Sequence, residues 1–240
     1  MNGSLFKAIT FDFWDTLYVI ERSQEYLDRR ISEFSAALLE LGVEKDPEQI
    51  VDAFRQGWKE AHYHQRREGK EIMPWGHLEI ILQQLQLDLG STSKDRLYEV
   101  YTTFTKRNPP RLNDFAAEIM QNLYSRYKLA IICNTGATPG TILREIMARD
   151  HIIDYYDCLV FSDETGYAKP HSRIFQHTLE KLNSTPGESA HIGDDPLTDV
   201  AGAKRAGMTA IWLAGEEKKT HPEPDFHIQS LMDLQRIIGL

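Results

Sequence analysis

The sequence has little cysteine, no long apolar run and no surplus of positive charge, and each lack excludes a class of protein. Its 240 residues contain two cysteines, which is too few for a disulfide framework and is typical of a reducing cytosol. No run of 18 apolar residues is present, so we expect no membrane-spanning helix. Lys7, Asp12 and Asp15 interrupt the apolar stretch that starts at Leu5, which argues against a secretory signal. We therefore expect a cytoplasmic protein.

Acidic residues outnumber basic ones, 36 against 27, for a formal net charge of −9. This balance gives no general attraction to nucleic acid or to an anionic membrane, and we expect neither as a partner. With 41% hydrophobic residues the chain can bury a proper core, and its length allows one large domain or two modest ones. The oligomeric state stays open.

Five short runs rich in apolar and β-branched residues predict buried strands. Their nearly continuous hydrophobicity is typical of a parallel sheet that helices cover on both faces. Segments 114–126, 173–182 and 199–206 have helical periodicity or composition and lie between strands. The predicted strands are Ala8–Asp12, Lys128–Cys133, Asp157–Phe161, Ser189–Gly193 and Thr209–Leu213.

The spacing of these strands indicates a large insertion. The later strands start 20 to 32 residues apart, as strand–helix–strand units do, whereas 120 residues separate the starts of the first two. The insertion spans roughly residues 18–109. Its apolar spacing and the position of Pro47 predict helices over 23–41, 47–69, 78–89 and 94–106. We therefore predict an α/β core from residues 1–17 and 110–240, with a small helical bundle attached between the two parts.

Polar side chains follow the predicted strands at their carboxyl ends, where parallel α/β sheets bind ligands. Two carboxylates, together with water and substrate oxygens, suit the octahedral shell of Mg²⁺. A carboxylate can also attack an electrophile and hold it covalently, and a nearby lysine neutralises the charge on such a pair. The residues at these strand ends are Asp12, Asn134, Lys169, Asp194 and Asp199.

The ordered motifs resemble those of the haloacid dehalogenase superfamily. They are Asp12, Cys133-Asn134, Lys169-Pro170, and Gly193-Asp194 with Asp199. Each motif alone is weak, but four in order at strand ends are specific. The resemblance implies a Rossmann-like parallel-sheet core, and it makes the insertion similar to the C1-type helical cap domain of that superfamily. The stretches 161–175 and 191–208 are similar to the corresponding regions of its phosphatase-like members.

The resemblance also implies an activity and a role for each matching residue. The activity is Mg²⁺-dependent hydrolysis of a small phosphorylated metabolite, with Asp12 as the nucleophile that forms an aspartyl-phosphate and as a metal ligand. Lys169 steadies Asp12 and the transferring group. Asp194 is a second metal ligand, and Asp199 ligates through water or orients Asp194. The backbone carbonyl of Trp14 is a further ligand.

Two positions depart from the pattern of the phosphatases. The residue two positions after the nucleophile is usually an acid–base Asp, but here it is Trp14, whose indole has no titratable proton near neutral pH. Asp15 lies one residue later, and this shift points its side chain in another direction. Whether Asp15 replaces the missing acid stays open. We expect slow hydrolysis of alkyl phosphates, whereas acyl or aryl phosphates have better leaving groups and need the acid less.

Cys133 is the second departure, since Ser or Thr usually precedes Asn134. These two residues are expected to bind the anionic group of the substrate, but a thiol is a poor hydrogen-bond donor. Binding should therefore depend more on Asn134 and on backbone N–H groups. No histidine is placed by motif to activate the thiol, so we interpret Cys133 as a passive lining residue.

Two other functions stay open. An aromatic residue at the Trp14 position also resembles the metal-independent dehalogenases of the superfamily, which hydrolyse 2-haloacids but lack the Gly193-Asp194 metal motif. Trp14 and Cys133 also suit a non-catalytic module that binds a phosphorylated ligand. The substrate itself is not named by the sequence, because the cap residues select it.

Several conspicuous residues have plain structural interpretations. Trp58 and Trp75 are expected to pack within the helical bundle rather than to line a substrate pocket. His62 and His64, two residues apart on a helix, are expected on a solvated face. Asp195 is expected to cap a helix, which leaves its neighbour Asp194 free for a metal ion.

Overall fold

The computed structural model describes residues 6–215 and 221–238. Residues 216–219, for which the sequence predicts a surface loop, lie outside the described part. In chain order the strands are β1 (Ala8–Phe11), β2 (Tyr18–Val19), β3 (Arg111–Leu112), β4 (Lys128–Cys133), β5 (Cys158–Phe161), β6 (Ser189–Gly193), β7 (Thr209–Leu213) and β8 (Phe226–Ile228).

Six of these strands form one sheet in the order β5-β4-β1-β6-β7-β8, and every neighbouring pair is parallel. This confirms the predicted Rossmann-like α/β core. From β1 the chain first adds β4 and β5 on one side and then β6, β7 and β8 on the other, so β1 lies at a topological switch point. Ligand crevices open at the carboxyl ends of the strands at such a point. Asp12, which follows β1 directly, therefore stands where a ligand would bind.

All five predicted strands are present, each within one residue of its predicted ends. The sequence does not predict β8, because this strand has only three residues and follows Pro222 and Pro224. It pairs with β7 alone at the sheet edge, and Phe226 remains 37% exposed. An edge strand of this kind needs no continuous apolar run.

Helices cover both faces of the sheet. One hydrophobic cluster packs α5, α6 and α10 against one face, and a second packs α8 and α9 against the other. Neighbouring residues of β4 show the consequence, since Ile131 belongs to the first cluster and Ile132 to the second. The helices are α1 (Ser23–Glu40), α2 (Pro47–Tyr63), α3 (Pro74–Gln84), α4 (Ser91–Arg107), α5 (Ala116–Leu123), α6 (Gly140–Arg149), α7 (Ser162–Thr165), α8 (Ser172–Leu182), α9 (Ala201–Ala206) and α10 (Leu234–Ile238).

Helices α1 to α4 form a helical module with its own hydrophobic cluster, which includes Phe34, Phe54 and Tyr101. Helix α2 starts at Pro47 as predicted and continues through one π-helical turn to Gly69. The helix predicted at 78–89 is wrong by about four residues, since α3 spans 74–84. The leucines that follow α3 lie in a loop and also pack into the hydrophobic cluster of the module. Their spacing in the sequence therefore resembles that of a longer helix.

The two chain segments that connect the module to the core lie side by side. Strand β2 pairs with β3 in an antiparallel register, and the Asn113 N–H donates to the Leu17 carbonyl at 2.7 Å. The two connections are thus hydrogen-bonded to each other between the module and the core.

Among the described residues, no helix has the length and apolar character needed to cross a membrane.

Candidate active site

Four charged side chains meet at the carboxyl edge of the sheet, and we call Asp12, Lys169, Asp194 and Asp199 the strand-end cluster. Asp12 is 7% exposed, and its N–H donates to the Ile192 carbonyl of β6 at 2.9 Å, which fixes it between the two central strands. Asp194 follows β6 directly, and Asp199 lies five residues further along. Lys169 comes from the loop between α7 and α8.

Lys169 bridges two of these carboxylates. Its Nζ atom lies 2.6 Å from Oδ1 of Asp12 and 2.6 Å from Oδ1 of Asp199, and its side chain is 1% exposed. Burial alone lowers the pKa of an ammonium group, but the two carboxylates outweigh it and raise the pKa of Lys169. Burial would likewise raise the pKa of Asp199, yet Lys169 and a neighbouring histidine hold it below its usual range. The lysine is therefore fully charged at neutral pH.

Three carboxylates around one lysine leave a surplus of negative charge. Oxygens of Asp12, Asp194 and Asp199 lie within 4.8 Å of one another. Burial, with the charges of Asp12 and Asp199, raises the pKa of Asp194 to about 8. Burial also raises the pKa of Asp12 to about 7, against the opposing effect of Lys169. An oxygen-only donor set of this kind fits Mg²⁺, whose charge would offset the repulsion.

A buried histidine supports Asp199, and the sequence predicts no role for it. His191 Nε2 lies 3.0 Å from Oδ1 of Asp199, and His191 Nδ1 lies 2.8 Å from the Thr10 hydroxyl. Burial lowers the pKa of His191, so the neutral ring donates from Nε2 to Asp199 and accepts from Thr10. A polar residue inside the apolar strand β6 is the sequence signal that marks this position. The side chain of Asp199 also occupies the space where a Cβ on Gly193 would lie.

Asn134 is paired with the backbone of Lys169. Its Oδ1 accepts from the Lys169 N–H at 2.7 Å, and its Nδ2 donates to the Lys169 carbonyl at 2.9 Å. Asn134 therefore positions the lysine, a role that the sequence does not indicate. Cys133 is fully buried within the core cluster, and burial raises the pKa of its thiol well above the usual value.

Trp14, two residues after Asp12, is half-buried and lies edge-on to Phe13 with ring centroids 4.9 Å apart. Asp15 has a left-handed backbone with φ of 52° and is exposed. Burial of part of its carboxyl group raises the pKa of Asp15, and its charge also raises the pKa of Asp194. The Thr16 hydroxyl donates to Asp194 at 3.4 Å. The loop after β1 thus places Asp15 and Thr16 near Asp194.

A cavity of about 230 Å³ lies between the helical module and this edge of the sheet. Trp14 and Asn134 border it from the core, and Trp58 and His62 border it from α2. Trp58 also packs edge-on against Phe54 within the module, as expected, so it serves both surfaces. His62 is not confined to a solvated face, because it reaches the rim of the cavity.

The module contacts the two core loops that carry the cluster. The Ala168 N–H, beside Lys169, donates to the Gly69 carbonyl at 2.9 Å. Arg66 forms an ion pair with Asp195, with 2.5 Å between Nη1 and Oδ2. Asp195 also caps the following helical turn through its Oδ1, which confirms the expected cap. The module is thus bonded directly to the loops that carry Lys169 and Asp194.

A buried carboxylate makes a third contact between the module and the core. Glu71, from the loop after α2, accepts a hydrogen bond from the Ser162 hydroxyl. The same Ser162 oxygen accepts from the Thr135 N–H at 2.9 Å, directly after Asn134. The sequence has no local signal for this chain of contacts, because Glu71 lies outside the periodic helices.

Comparisons with known proteins agree with this geometry. A model of the haloacid dehalogenase-like hydrolases matches residues 6–207. The chain is 27% identical to 5-amino-6-(5-phospho-D-ribitylamino)uracil phosphatase YigB of Escherichia coli (strain K12), over 97% of this chain and 94% of that protein.

Solved structures give the same result for the fold. A HAD phosphatase from Thermococcus onnurineus superposes with a TM-score of 0.69 at 25% identity, covering 98% of each chain. A 2-haloacid dehalogenase from Pseudomonas syringae pv. Tomato DC3000 superposes with a TM-score of 0.76 at 20% identity, covering 98% of each chain, and this likeness concerns the fold alone. With the family model matching most of the chain, this protein belongs to the haloacid dehalogenase-like hydrolase family.

Proposed function

We propose that this protein is a Mg²⁺-dependent phosphatase that acts on a small phosphorylated metabolite through an aspartyl-phosphate at Asp12. The observation that carries the proposal is the strand-end cluster, in which a buried lysine contacts Asp12 and two further carboxylates lie within reach of one ion. The end-to-end relative named above is a phosphatase. The two free cysteines support the cytoplasmic location that the sequence predicts.

The proposed reaction has two steps. A carboxylate oxygen of Asp12 forms a bond to phosphorus while the bond from phosphorus to the leaving oxygen breaks. Water then attacks phosphorus, which releases inorganic phosphate and restores Asp12. Lys169 neutralises charge on Asp12 and on the transferring group in both steps.

Asp12, Asp194 and Asp199, with the backbone carbonyl of Trp14, are the residues that we propose as the metal site. A bound Mg²⁺ would neutralise charge on the phosphoryl oxygens. Asn134 and the N–H groups of its loop would contact these oxygens, with Cys133 as a passive neighbour.

Trp14 restricts the leaving group. Its indole cannot protonate the departing oxygen, so the first step favours leaving groups that depart as anions, such as acyl or aryl oxygens. The second step also lacks a side-chain base at that position, so the aspartyl-phosphate should break down slowly. We propose that residues 18–109 form a cap domain, which excludes water and selects the substrate.

Hydrolysis of acetyl phosphate and p-nitrophenyl phosphate tests the proposal. We expect turnover with Mg²⁺, loss of turnover with EDTA, and loss in Asp12→Asn. The variant Asp157→Asn is the matched comparison, because it removes a carboxylate that pairs with Lys128 at the opposite, amino-end edge of the sheet. Turnover that is unchanged in Asp12→Asn would contradict the proposal. Thermal stabilisation by these phosphates without any product would favour the non-catalytic module instead.

A metal-independent 2-haloacid dehalogenase is the second candidate, and Trp14 at the acid position is the observation that favours it. Here Asp12 would attack carbon and displace halide, and water would then attack the Asp12 carbonyl carbon of the ester. In ¹⁸O-labelled water, this route places the label in the Asp12 carboxylate. The phosphatase route places it in inorganic phosphate. Halide release from 2-chloropropionate in EDTA, with label in Asp12, would decide for the dehalogenase.

A further inference from the structure

Arg30 of α1 is a buried cation without an acidic partner. The residue belongs to the helical module and is only 7% exposed. In residues 6–215 and 221–238, no carboxylate oxygen lies within 4.0 Å of its guanidinium. By contrast, the arginines of the described residues that do form ion pairs lie nearer the surface. Arg66 and Arg96, for example, have side chains that are 42% and 45% exposed.

The contacts that Arg30 does make are neutral. One terminal nitrogen donates to the Tyr101 carbonyl at 3.1 Å and lies 3.5 Å from the Thr138 hydroxyl. The guanidinium carbon lies 5.1 Å from the ring centroids of both Tyr101 and Phe104. Its Nε has no hydrogen-bond partner within the described structure. Aromatic rings and neutral acceptors only partly replace the water that a buried charge loses.

The unpaired charge borders the cavity described above. Arg30 lies on the wall formed by the module. On the core side the cavity is bordered by Trp14, two residues after Asp12, and by Asn134, which contacts the backbone of Lys169. His77 lies on this wall too, is 1% exposed, and neither ring nitrogen has a hydrogen-bond partner in the described part of the chain. Its nearest carboxylate oxygen, on Glu71, is 3.9 Å away. The cavity thus offers unsatisfied polar groups away from the cluster.

We propose that the substrate carries, besides the phosphoryl group that is transferred, a second anionic group that Arg30 binds inside this cavity. An anion supplies the counter-charge that a buried guanidinium lacks, and carboxylate or phosphate oxygens match its planar donors. The volume of about 230 Å³ suits a small metabolite. This inference rests on the proposed phosphatase function, since it places the phosphoryl group at the strand-end cluster.

Ligand binding in the presence of Mg²⁺ tests the inference in three chemical series. The first contains ω-phosphooxy carboxylates of two to five carbons, and the second contains α,ω-alkanediol bisphosphates of the same lengths. The third contains the n-alkyl phosphates, which lack the second anion. Isothermal titration calorimetry on the whole protein measures each affinity. We expect at least one length in the first or second series to bind about tenfold or more tightly than its alkyl match.

Variants then attribute the difference to Arg30. Arg30→Met should remove the preference for the second anion, and Arg30→Lys should keep part of it. Arg29→Met is the matched control, because Arg29 is the preceding residue and is exposed, with a hydrogen bond to Asn108. A merely structural role of Arg30 would weaken all three series alike, so the ratio between series is the informative quantity.

The wild-type series alone can overturn the inference. If no length of either dianionic series binds more tightly than its alkyl match, Arg30 does not bind a second anion. A preference that survives in Arg30→Met would also overturn it. A preference confined to one series identifies the second group as carboxylate or as phosphate. Failure of the phosphatase proposal is separate, because it appears as absent turnover of p-nitrophenyl phosphate while these affinities remain measurable.

Discussion

Lys169 and Asp12 form an ion pair, with the lysine Nζ 2.6 Å from a carboxylate oxygen, although both side chains are almost fully buried. Asp199 holds the same ammonium from another side, and Asn134 fixes the backbone of the lysine. Burying a charge is costly unless a partner compensates it. The lysine therefore stabilises the fold and opposes the rise in the pKa of Asp12 that burial causes, which favours the charged form that a nucleophile needs.

Replacing Lys169 by Met should destabilise the metal-free protein by about 3 kcal/mol, because it leaves buried carboxylates without a cation. Lys128→Met is the matched control, since Lys128 also lies 2.6 Å from a carboxylate, on Asp157, but is 60% exposed. We expect that control to cost far less, because water screens an exposed ion pair. Urea unfolding measures both values. Equal losses in the two variants would show that burial of the Lys169 pair has no special weight.

Restoring an acid at position 14 should accelerate the hydrolysis of alkyl phosphates. Trp14→Asp places a titratable group beside the strand-end cluster, and such groups typically contribute about 10²–10⁴-fold. Trp14→Asn is the control of similar size without an acid. Initial rates on an alkyl phosphate with Mg²⁺ measure the effect. Equal rates in the two variants would mean that the missing acid is not what limits this protein.

Mg²⁺ should stabilise the protein more at pH 8.5 than at pH 6. The pKa of Asp194 rises from 3.8 to about 8 on folding, so the folded metal-free protein holds a proton that the unfolded chain has released. The bound proton on Asp194 therefore stabilises the folded metal-free protein. This stabilisation is complete below pH 3.8 and is lost as the pH rises through about 8. Mg²⁺ needs the carboxylate, so its binding competes with the proton.

Thermal unfolding with Mg²⁺ and with EDTA at both pH values measures this effect. Asp194→Asn should lose most of the stabilisation by Mg²⁺ at pH 8.5. A stabilisation that is equal at the two pH values, or equal in the variant, would argue against a metal site at Asp194.

Both thiols should resist alkylation in the native protein. Burial raises the pKa of Cys133 well above its usual value and that of Cys158 to about 11. Little thiolate is then present at pH 8, and iodoacetamide should react on the order of 100-fold more slowly than with the unfolded chain. Mass spectrometry of the alkylated peptides gives the two rates separately. Rapid labelling of Cys133 would contradict its interpretation as a passive residue.

Much of the site follows from the sequence, because chain position and sheet topology decide it together. Residues that end buried parallel strands must meet at one edge, so Asp12 and Asp194 are predictable from their strands alone. Asp195 likewise caps the next turn for local reasons. Strand β8 escapes prediction because an edge strand of three residues carries no apolar pattern.

The remainder depends on how the module packs against the core. Arg30 and His77 look like ordinary polar residues of amphipathic helices, and only the docked structure shows that they are buried beside the cavity. Helical periodicity indicates which face of a helix is buried but does not specify the partner that covers it. The contact of Glu71 with Ser162 depends on the same docking and has no local sequence pattern.

The most direct measurement is the detection of a phosphoryl group on Asp12. Because Trp14 supplies no base for the second step, the aspartyl-phosphate formed from acetyl phosphate and Mg²⁺ should accumulate. Acid quenching, borohydride reduction of the acyl phosphate to homoserine and peptide mass spectrometry identify the modified residue. We expect homoserine at position 12 in the wild type, and neither this product nor turnover in Asp12→Asn. Phosphate release at the wild-type rate by Asp12→Asn, or a phosphoryl group on another residue, would contradict it.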